Sequence, residues 1–206
     1  MAATMTDGPV ETHDHDPHAT NTGISNTKLA MWLFLSTECL LFGGLISTYL
    51  LYKTRGNGTT LPTDIFDILF TSVSSFVLLA SSLTMVLALS AAVRGDMPRT
   101  KVWLMVTALL GAVFVGGQVY EFTTFYREGL GYTTNPAASA FYTLTGFHGV
   151  HVSLGILMLM SLYVAASQGR LTARHHETVE IVGLYWHFVD VVWIFIFTVI
   201  YLIPAE

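Results

Sequence analysis

Five long apolar segments dominate the sequence and restrict the folds that it can adopt. Each exceeds the roughly 20 residues that a helix needs to cross about 30 Å of hydrocarbon. A membrane helix satisfies its own backbone groups, and the sequence lacks the alternation typical of barrel strands. We therefore predict an all-α membrane protein, a bundle of five transmembrane helices. The predicted spans are residues 29–52, 65–93, 102–126, 137–167 and 178–204.

The composition and the short connections support one membrane domain. Charged residues make up only 11% of the chain and hydrophobic residues 52%, whereas about 25% of a soluble domain is charged. The connecting segments are too short to form an extramembrane domain, so we expect residues 28–206 to be a single five-helix domain. Residues 1–27 are polar and are predicted to be a disordered tail. The sequence contains no P-loop, CxxC motif or dinucleotide-binding glycine motif.

The basic residues predict an orientation, because cytoplasmic loops carry an excess of lysine and arginine. With the N-terminus in the cytoplasm, six basic residues fall on the inner side and three on the outer side. We therefore predict a cytoplasmic N-terminus and a C-terminus on the periplasmic, outer side. The inner residues are Lys28, Arg94, Arg99, Lys101, Arg170 and Arg174, and the outer ones are Lys53, Arg55 and Arg127.

Spans three, four and five each carry polar residues at helical spacing. An ionisable side chain at membrane depth costs several kcal/mol, so it usually faces a protein interior or a partner. Within each span, two polar residues lie three apart and share a face. We expect the three polar stripes to face one another as an interhelical network. The members are Gln118 and Glu121, His148 and His151, and His187 and Asp190 with Glu180 seven residues before His187.

The histidines in these spans admit three interpretations. They could ligate a haem or another metal, relay protons, or form a structural hydrogen-bond network between helices. Membrane haem ligation usually needs paired histidines on facing helices, and spans one and two contain no histidine. The structural network is therefore the favoured interpretation.

Glu38 is the only charged residue of span one, and no cationic side chain accompanies it in that span. One interpretation is a neutral carboxyl bonded to a backbone carbonyl or to a neighbouring helix. The other is a proton-exchanging group, or an anchor for lipid or a neighbouring helix. The single cysteine, Cys39, excludes an intrachain disulfide and is expected to be an inert buried thiol. Two glycine pairs, Gly43-Gly44 and Gly116-Gly117, are expected to allow close helix approach.

Several segments together resemble subunit III of the haem-copper terminal oxidases. The segment 141–152, FYTLTGFHGVHV, is similar to the family's TGFHGxHV motif, and 185–193, YWHFVDVVW, is similar to its YWHFVDxVW motif. Residues 36–44, STECLLFGG, resemble the helix that bears the family's buried glutamate. Residues 118–122 and His175-His176 with Glu180 also fit, so the resemblance covers about residues 28–202. The chain has five helices, as in the shorter bacterial form, instead of seven.

The resemblance implies an accessory role in a proton-pumping oxidase that reduces O2 to water. In that family subunit I carries the haems and copper. This chain is therefore expected to be non-catalytic and to bind no metal or redox cofactor, with phospholipid as the one candidate ligand. Expected partners are subunit I directly, subunit II, smaller subunits and membrane lipids, without nucleic acid. The expected location is a prokaryotic cytoplasmic membrane. The expected complex is a cytochrome c oxidase, with quinol oxidase as the alternative.

The resemblance also selects Glu38 as the first functional candidate, because it corresponds to the family's carbodiimide-reactive glutamate. The residues of the polar stripes are expected mainly to stabilise helix packing. A rival from another class is an independent proton-coupled transporter, which buried carboxylates and histidines would suit. The sequence shows neither the inverted repeats nor the broken-helix pair that many transporters use, which weighs against it.

Overall fold

The computed structural model describes residues 25–55, 68–172 and 175–203, which form five long helices and no strand in those ranges. All five are long and apolar enough to cross a membrane, which confirms the predicted all-α five-helix fold. Most of the predicted tail, residues 1–24, lies outside the described residues. The cytoplasmic placement of the N-terminus stays a prediction. The helices are α1 (Asn26–Arg55), α2 (Ile68–Val93), α3 (Met97–Arg127), α4 (Pro136–Ser167) and α5 (His176–Phe197), the last continued by a π-helical turn, Thr198–Leu202.

Local sequence signals determine where α3 and α4 begin. The side chain of Asp96 accepts a hydrogen bond from the Arg99 N–H, and that of Asn135 accepts one from the Ala138 N–H. A proline stands in the first turn of both helices, where its missing N–H costs nothing. Glycines with positive φ follow the ends of α2, α3 and α4, at positions that suit a residue without Cβ. They are Gly95, Gly129 and Gly169.

Helix α5 forms the centre of the bundle and α1 its edge. Helix α5 packs against α1, α2 and α4, while α2 packs on α3 and α3 on α4. Half of the most apolar window of α5 is buried, compared with 11% of that of α1. Helix α1 places Leu35, Phe42 and Tyr49 in the core, and polar contacts with α4 and α5 add to this apolar packing.

Trp186 of α5 is fully buried at the place where α3 and α4 come closest to it. A Cβ added to Gly111 would lie 2.5 Å from the indole ring, and one added to Gly155 would lie 2.7 Å from it. The indole N–H donates to the Ser81 hydroxyl of α2 at 3.0 Å. Trp186 fits between α3 and α4 because Gly111 and Gly155 have no side chain at these positions.

Two expectations about α1 were wrong. A Cβ built on Gly43 or Gly44 would meet no atom within 4 Å, so this pair makes no close approach to another helix. Cys39 is exposed instead of buried. Both follow from the peripheral position of α1, because an apolar run does not reveal which of its faces meets the bundle. Of the second glycine pair, only Gly117 faces a neighbour, the Ser74 hydroxyl of α2.

Candidate functional site

Glu38 projects from α1 onto α4, where it meets His151. Its Oε2 lies 3.1 Å from the Nε2 atom of His151. The Nδ1 atom of the same ring lies 2.7 Å from the carbonyl oxygen of Phe147, and a carbonyl can only accept a hydrogen bond. Nδ1 therefore carries a hydrogen. One further proton lies between Nε2 and the carboxyl group, either on the ring as an ion pair or on Glu38 as a neutral pair.

The surroundings of this pair hold His151 in place. The ring of Phe42 lies edge-on to the imidazole with centroids 5.0 Å apart, and the Tyr185 hydroxyl donates to the His151 carbonyl at 3.0 Å. The Glu38 and His151 side chains are 14% and 11% exposed. The pair thus lies at the edge of the bundle, and it is accessible from outside the bundle.

His148, one helical turn before His151, is fully buried in the middle of the bundle. Its Nε2 donates to the Val189 carbonyl of α5 at 3.2 Å, and its ring packs against Trp193 and Phe114. Its Nδ1 has no hydrogen-bond partner among the described residues. Both nitrogens of His151 are engaged and His148 is enclosed by aromatic rings, so neither imidazole faces a space that fits a haem. No three His, Cys, Asp or Glu side chains in the described ranges are grouped for a metal ion.

Gln118 and Glu121 of α3 serve different neighbours. The Gln118 amide donates to the Thr145 carbonyl of α4 at 2.7 Å. Glu121 turns the other way, and one of its carboxyl oxygens accepts from the Thr71 hydroxyl of α2 and from the Tyr201 hydroxyl, each at 2.8 Å. Glu121 therefore joins α2, α3 and the π-helical turn that follows α5.

Three serines of α2 bind polar groups of α5. Each hydroxyl lies within 3.0 Å of a ring nitrogen, which satisfies that nitrogen without burying a charge. The pairs are Trp193 with Ser75, Trp186 with Ser81 and His187 with Ser82. Serines in an apolar span were the sequence signal for these contacts, and the sequence reasoning did not use it.

Asp190 is a buried carboxyl without a hydrogen-bond partner among the described residues, as are the Tyr49 hydroxyl and the Nδ1 atom of His148. It is 2% exposed, and neither carboxyl oxygen has a hydrogen-bond partner among the described residues. Its polar neighbour on α2 is Ser82, whose hydroxyl lies 2.7 Å from His187 Nδ1. A hydroxyl has one hydrogen to donate, so Ser82 cannot donate to both groups at the same time.

Both ends of α1 are fixed to α5 by contacts that the sequence reasoning missed. At the beginning, Lys28 forms an ion pair with Glu180. At the end, the Lys53 ammonium is buried and donates to three carbonyl oxygens of the last turn after α5, at 2.6 to 2.9 Å. The acceptors belong to Val199, Ile200 and Ile203, whose carbonyls have no later turn of helix to bind.

The structure distributes the expected single network over several separate contacts. His148 faces α5 while His151 faces α1, because residues three apart on a helix differ by about 60° in direction. Glu38, which was not assigned to the polar stripes, is the partner of His151. Glu180 lies at the start of α5 on Lys28, away from His187. The residues that complete these contacts, and that the sequence analysis did not assign to the network, are Lys28, Lys53, Thr71, Ser75, Ser81, Ser82 and Tyr201.

Comparisons with known proteins agree on one family. Residues 7–204 match the family model described as cytochrome c oxidase subunit III. The chain is 41% identical to cytochrome c oxidase subunit 3 of Bacillus sp. (strain PS3), with 86% of each chain covered. It is 40% identical to cytochrome bo(3) ubiquinol oxidase subunit 3 of Pseudomonas aeruginosa, covering 94% of this chain and 91% of the relative. Quinol oxidase subunit 3 of Bacillus subtilis is 38% identical, covering 84% and 85%.

Proposed function

Because the chain belongs to the cytochrome c oxidase subunit III family, we propose that it packs directly on subunit I of its oxidase in a prokaryotic cytoplasmic membrane. It is an accessory subunit of a terminal oxidase, and the helices long enough to cross a membrane make it a multi-pass protein. In this proposal the chain holds no haem or copper, and O2 is reduced in the partner subunits. The role of this chain is to stabilise subunit I and to support its proton uptake during turnover.

One observation carries the non-redox part of the proposal: the intramembrane histidines are occupied by contacts between helices. His148 bonds to α5, His151 to α1 and His187 to α2. Each imidazole thereby fixes two helices relative to one another. Both nitrogens of His151 are bonded, so this residue would have to give up a contact to ligate a haem. The unpartnered Nδ1 of His148 is enclosed with its ring among buried aromatic rings, which a haem would have to displace.

For Glu38 we propose proton exchange with the partner subunit. Glu38 and His151 hold one proton between them in either arrangement, so the proton can shift from one residue to the other without changing the net charge of the pair. Both side chains are partly exposed on the outside of the bundle, where a second subunit can reach them. The other polar positions, namely Gln118, Glu121, His148, Glu180, His187 and Asp190, are proposed to stabilise packing.

We propose a cytochrome c oxidase as the complex, supported by the 41% identical relative of that name. A quinol oxidase is the second candidate, because the relative from Pseudomonas aeruginosa carries that name and covers 94% of the chain. Oxygen uptake by the purified complex distinguishes them. Uptake driven by reduced cytochrome c and not by a ubiquinol analogue supports the first, and the reverse result supports the second.

Removal of this chain from the complex tests the accessory role. The complex is purified through a tag on subunit I, and this chain is stripped with a stronger detergent. The remaining complex should still reduce O2 at first but should lose activity faster during turnover, and adding the chain back should slow that loss. Immediate loss of all activity, with haem released along with the chain, would contradict the proposal.

A further inference from the structure

The carboxyl group of Asp190 lies between two hydrogen bonds that join α5 to α2. One turn before it, the Nδ1 atom of His187 lies 2.7 Å from the Ser82 hydroxyl. One turn after it, the Trp193 indole donates to Ser75 at 2.8 Å. Residues three apart on a helix share a face, so His187 and Asp190 have the same serine, Ser82, as their polar neighbour on α2.

An ionised carboxyl at position 190 would be an unpaired charge inside the membrane domain. Asp190 is 2% exposed and takes part in no ion pair among the described residues. The two lysines that contact α5 are engaged elsewhere, Lys28 with Glu180 and Lys53 with backbone carbonyls of the final turn. An unpaired charge at such a place costs several kcal/mol, so burial favours the neutral acid.

The helices around α5 do not supply the missing positive charge in the part of the chain that the structure describes. Helix α2, Ile68–Val93, contains no ionisable side chain. On α4, His148 bonds to a backbone carbonyl of α5, and His151 is paired with Glu38 of α1. On α3 the buried ionisable group is Glu121, which is itself a carboxyl. The basic group nearest to Asp190 in this network is therefore the His187 imidazole, on the other side of Ser82.

The hydrogens of the three groups can form one directed chain. A protonated carboxyl has an O–H to donate, and a serine hydroxyl can accept one hydrogen while it donates its own. Asp190 then donates to Ser82, and Ser82 donates to Nδ1 of His187. This arrangement satisfies all three groups without a charge. An ionised Asp190 would compete with a neutral His187 for the single hydrogen of Ser82.

We propose that Asp190, Ser82 and His187 form a second proton-holding site of this chain, with the proton resting on Asp190. To exchange it, Asp190 passes its proton to the Ser82 oxygen while Ser82 passes its own to Nδ1 of His187. The products are a carboxylate and an imidazolium, with no change in net charge, and the imidazolium then releases the proton of its Nε2 atom. Asp190 is buried whereas Ser82 and His187 are partly exposed, so the proton enters and leaves through them.

This proposal adds proton holding to the packing role proposed above for His187 and Asp190. The site joins α5 to α2, whereas the Glu38–His151 pair joins α1 to α4. The two sites share no residue, so the second does not depend on the role proposed for the first.

Infrared spectroscopy of the intact oxidase complex tests the protonated state. A protonated carboxyl has a C=O stretching band that a carboxylate lacks, and this band shifts in D2O. We expect Asp190→Asn to lose one such band while keeping nearly the thermal stability of the wild type, because the amide can also donate to Ser82. In Ser82→Ala the band should persist and move to higher frequency, since the acid loses its acceptor.

His187→Asn tests the exchange route, because its amide oxygen can still accept from Ser82 but takes up no proton. Exchange of the Asp190 hydrogen for deuterium should become slower than in the wild type. The matched control is Asp96→Asn, which should lose no acid band because Asp96 is paired with Arg99. No lost band in Asp190→Asn, or an unshifted band in Ser82→Ala, would overturn the site. Unchanged exchange in His187→Asn would overturn the route.

Discussion

The hydrogen-bond partner of Glu38 lies on another helix, 113 residues later in the sequence. Its partner His151 lies on α4, and the orientation of that imidazole is set by the Phe147 carbonyl. These two contacts determine that the pair holds one proton.

Dicyclohexylcarbodiimide should modify Glu38 and leave the buried carboxyls of Glu121 and Asp190 intact. The reagent enters from the lipid phase, and the Glu38 side chain is 14% exposed, whereas Glu121 and Asp190 are 5% and 2% exposed. Mass spectrometry of the labelled chain locates the adduct. In Glu38→Gln the adduct should disappear without transfer to another site. Predominant labelling of Glu121 or Asp190 would contradict the geometry described for α1.

Replacing His187 by alanine should weaken the chain without altering any haem spectrum. The change removes the half-buried bond between the Ser82 hydroxyl and His187 and leaves Asp190 as the polar neighbour of Ser82. We expect a loss of about 0.5–1.5 kcal/mol, the net contribution of one hydrogen bond. Thermal dissociation of the purified complex should shift to lower temperature, while the visible spectrum of the assembled fraction stays the same. The control is Ser161→Ala, which removes an exposed hydroxyl bonded only within its own helix. A changed haem spectrum at full assembly would assign His187 a different role.

At the residue scale, sequence predicts which residues are polar and buried better than it predicts their partners. Spacing correctly placed His148 and His151 on one side of α4. Their side chains differ in direction around the helix axis by about 60°, so His148 contacts α5 and His151 contacts α1. The partner of Lys53 could not be found from sequence, because it consists of backbone carbonyls. Every residue has a backbone carbonyl, so the sequence does not indicate which carbonyls accept a hydrogen bond from a side chain.

At the scale of the helices, the packing of α5 depends on glycines in the neighbouring helices α3 and α4. The ring of Trp186 occupies space left by Gly111 and Gly155, so α3 and α4 are fixed around it. The sequence analysis predicted the helices themselves from hydrophobic length, which is a local property. It selected the wrong glycine pair on α1, because close packing depends on the neighbouring helix as well.

Gly111→Ala should therefore destabilise the bundle. The new Cβ would lie 2.5 Å from the Trp186 ring, and such overpacking typically costs about 1–3 kcal/mol. The midpoint of thermal unfolding in detergent measures the loss. Gly146→Ala on α4 is the control, since a Cβ there meets no atom within 4 Å. Equal stability of the two variants would contradict the packing described for Trp186.

Lys53→Met should loosen the end of α5 while leaving the rest of that helix folded. The substitution removes the donor to three carbonyl oxygens of the final turn but keeps much of the apolar stem. Hydrogen exchange should become faster at residues 199–203 and stay unchanged near Trp186. Thr54→Val, at an exposed neighbouring position, is the control. Unchanged exchange at residues 199–203 in Lys53→Met would show that the lysine does not hold this end.

The whole molecule is a bundle whose edge helix is attached by polar contacts along its length. Helix α1 meets α5 through Lys28 and Lys53 at its two ends, and it meets α4 through Glu38 between them. This arrangement leaves much apolar surface of α1 exposed, as expected for a helix that faces lipid or another membrane subunit. Motif resemblance predicted the family of the whole chain, and the match over residues 7–204 confirms it.

The central claim is that this chain is an accessory subunit that holds no haem of its own. The most direct test is a reduced-minus-oxidised spectrum of material purified through a tag on this chain in mild detergent, taken before and after the chain is separated from its partners. We predict haem bands in the intact preparation, in constant ratio to a larger partner subunit, and no haem in the separated chain. Haem that stays with the separated chain would contradict the account, and so would a haem-free chain that purifies without partners.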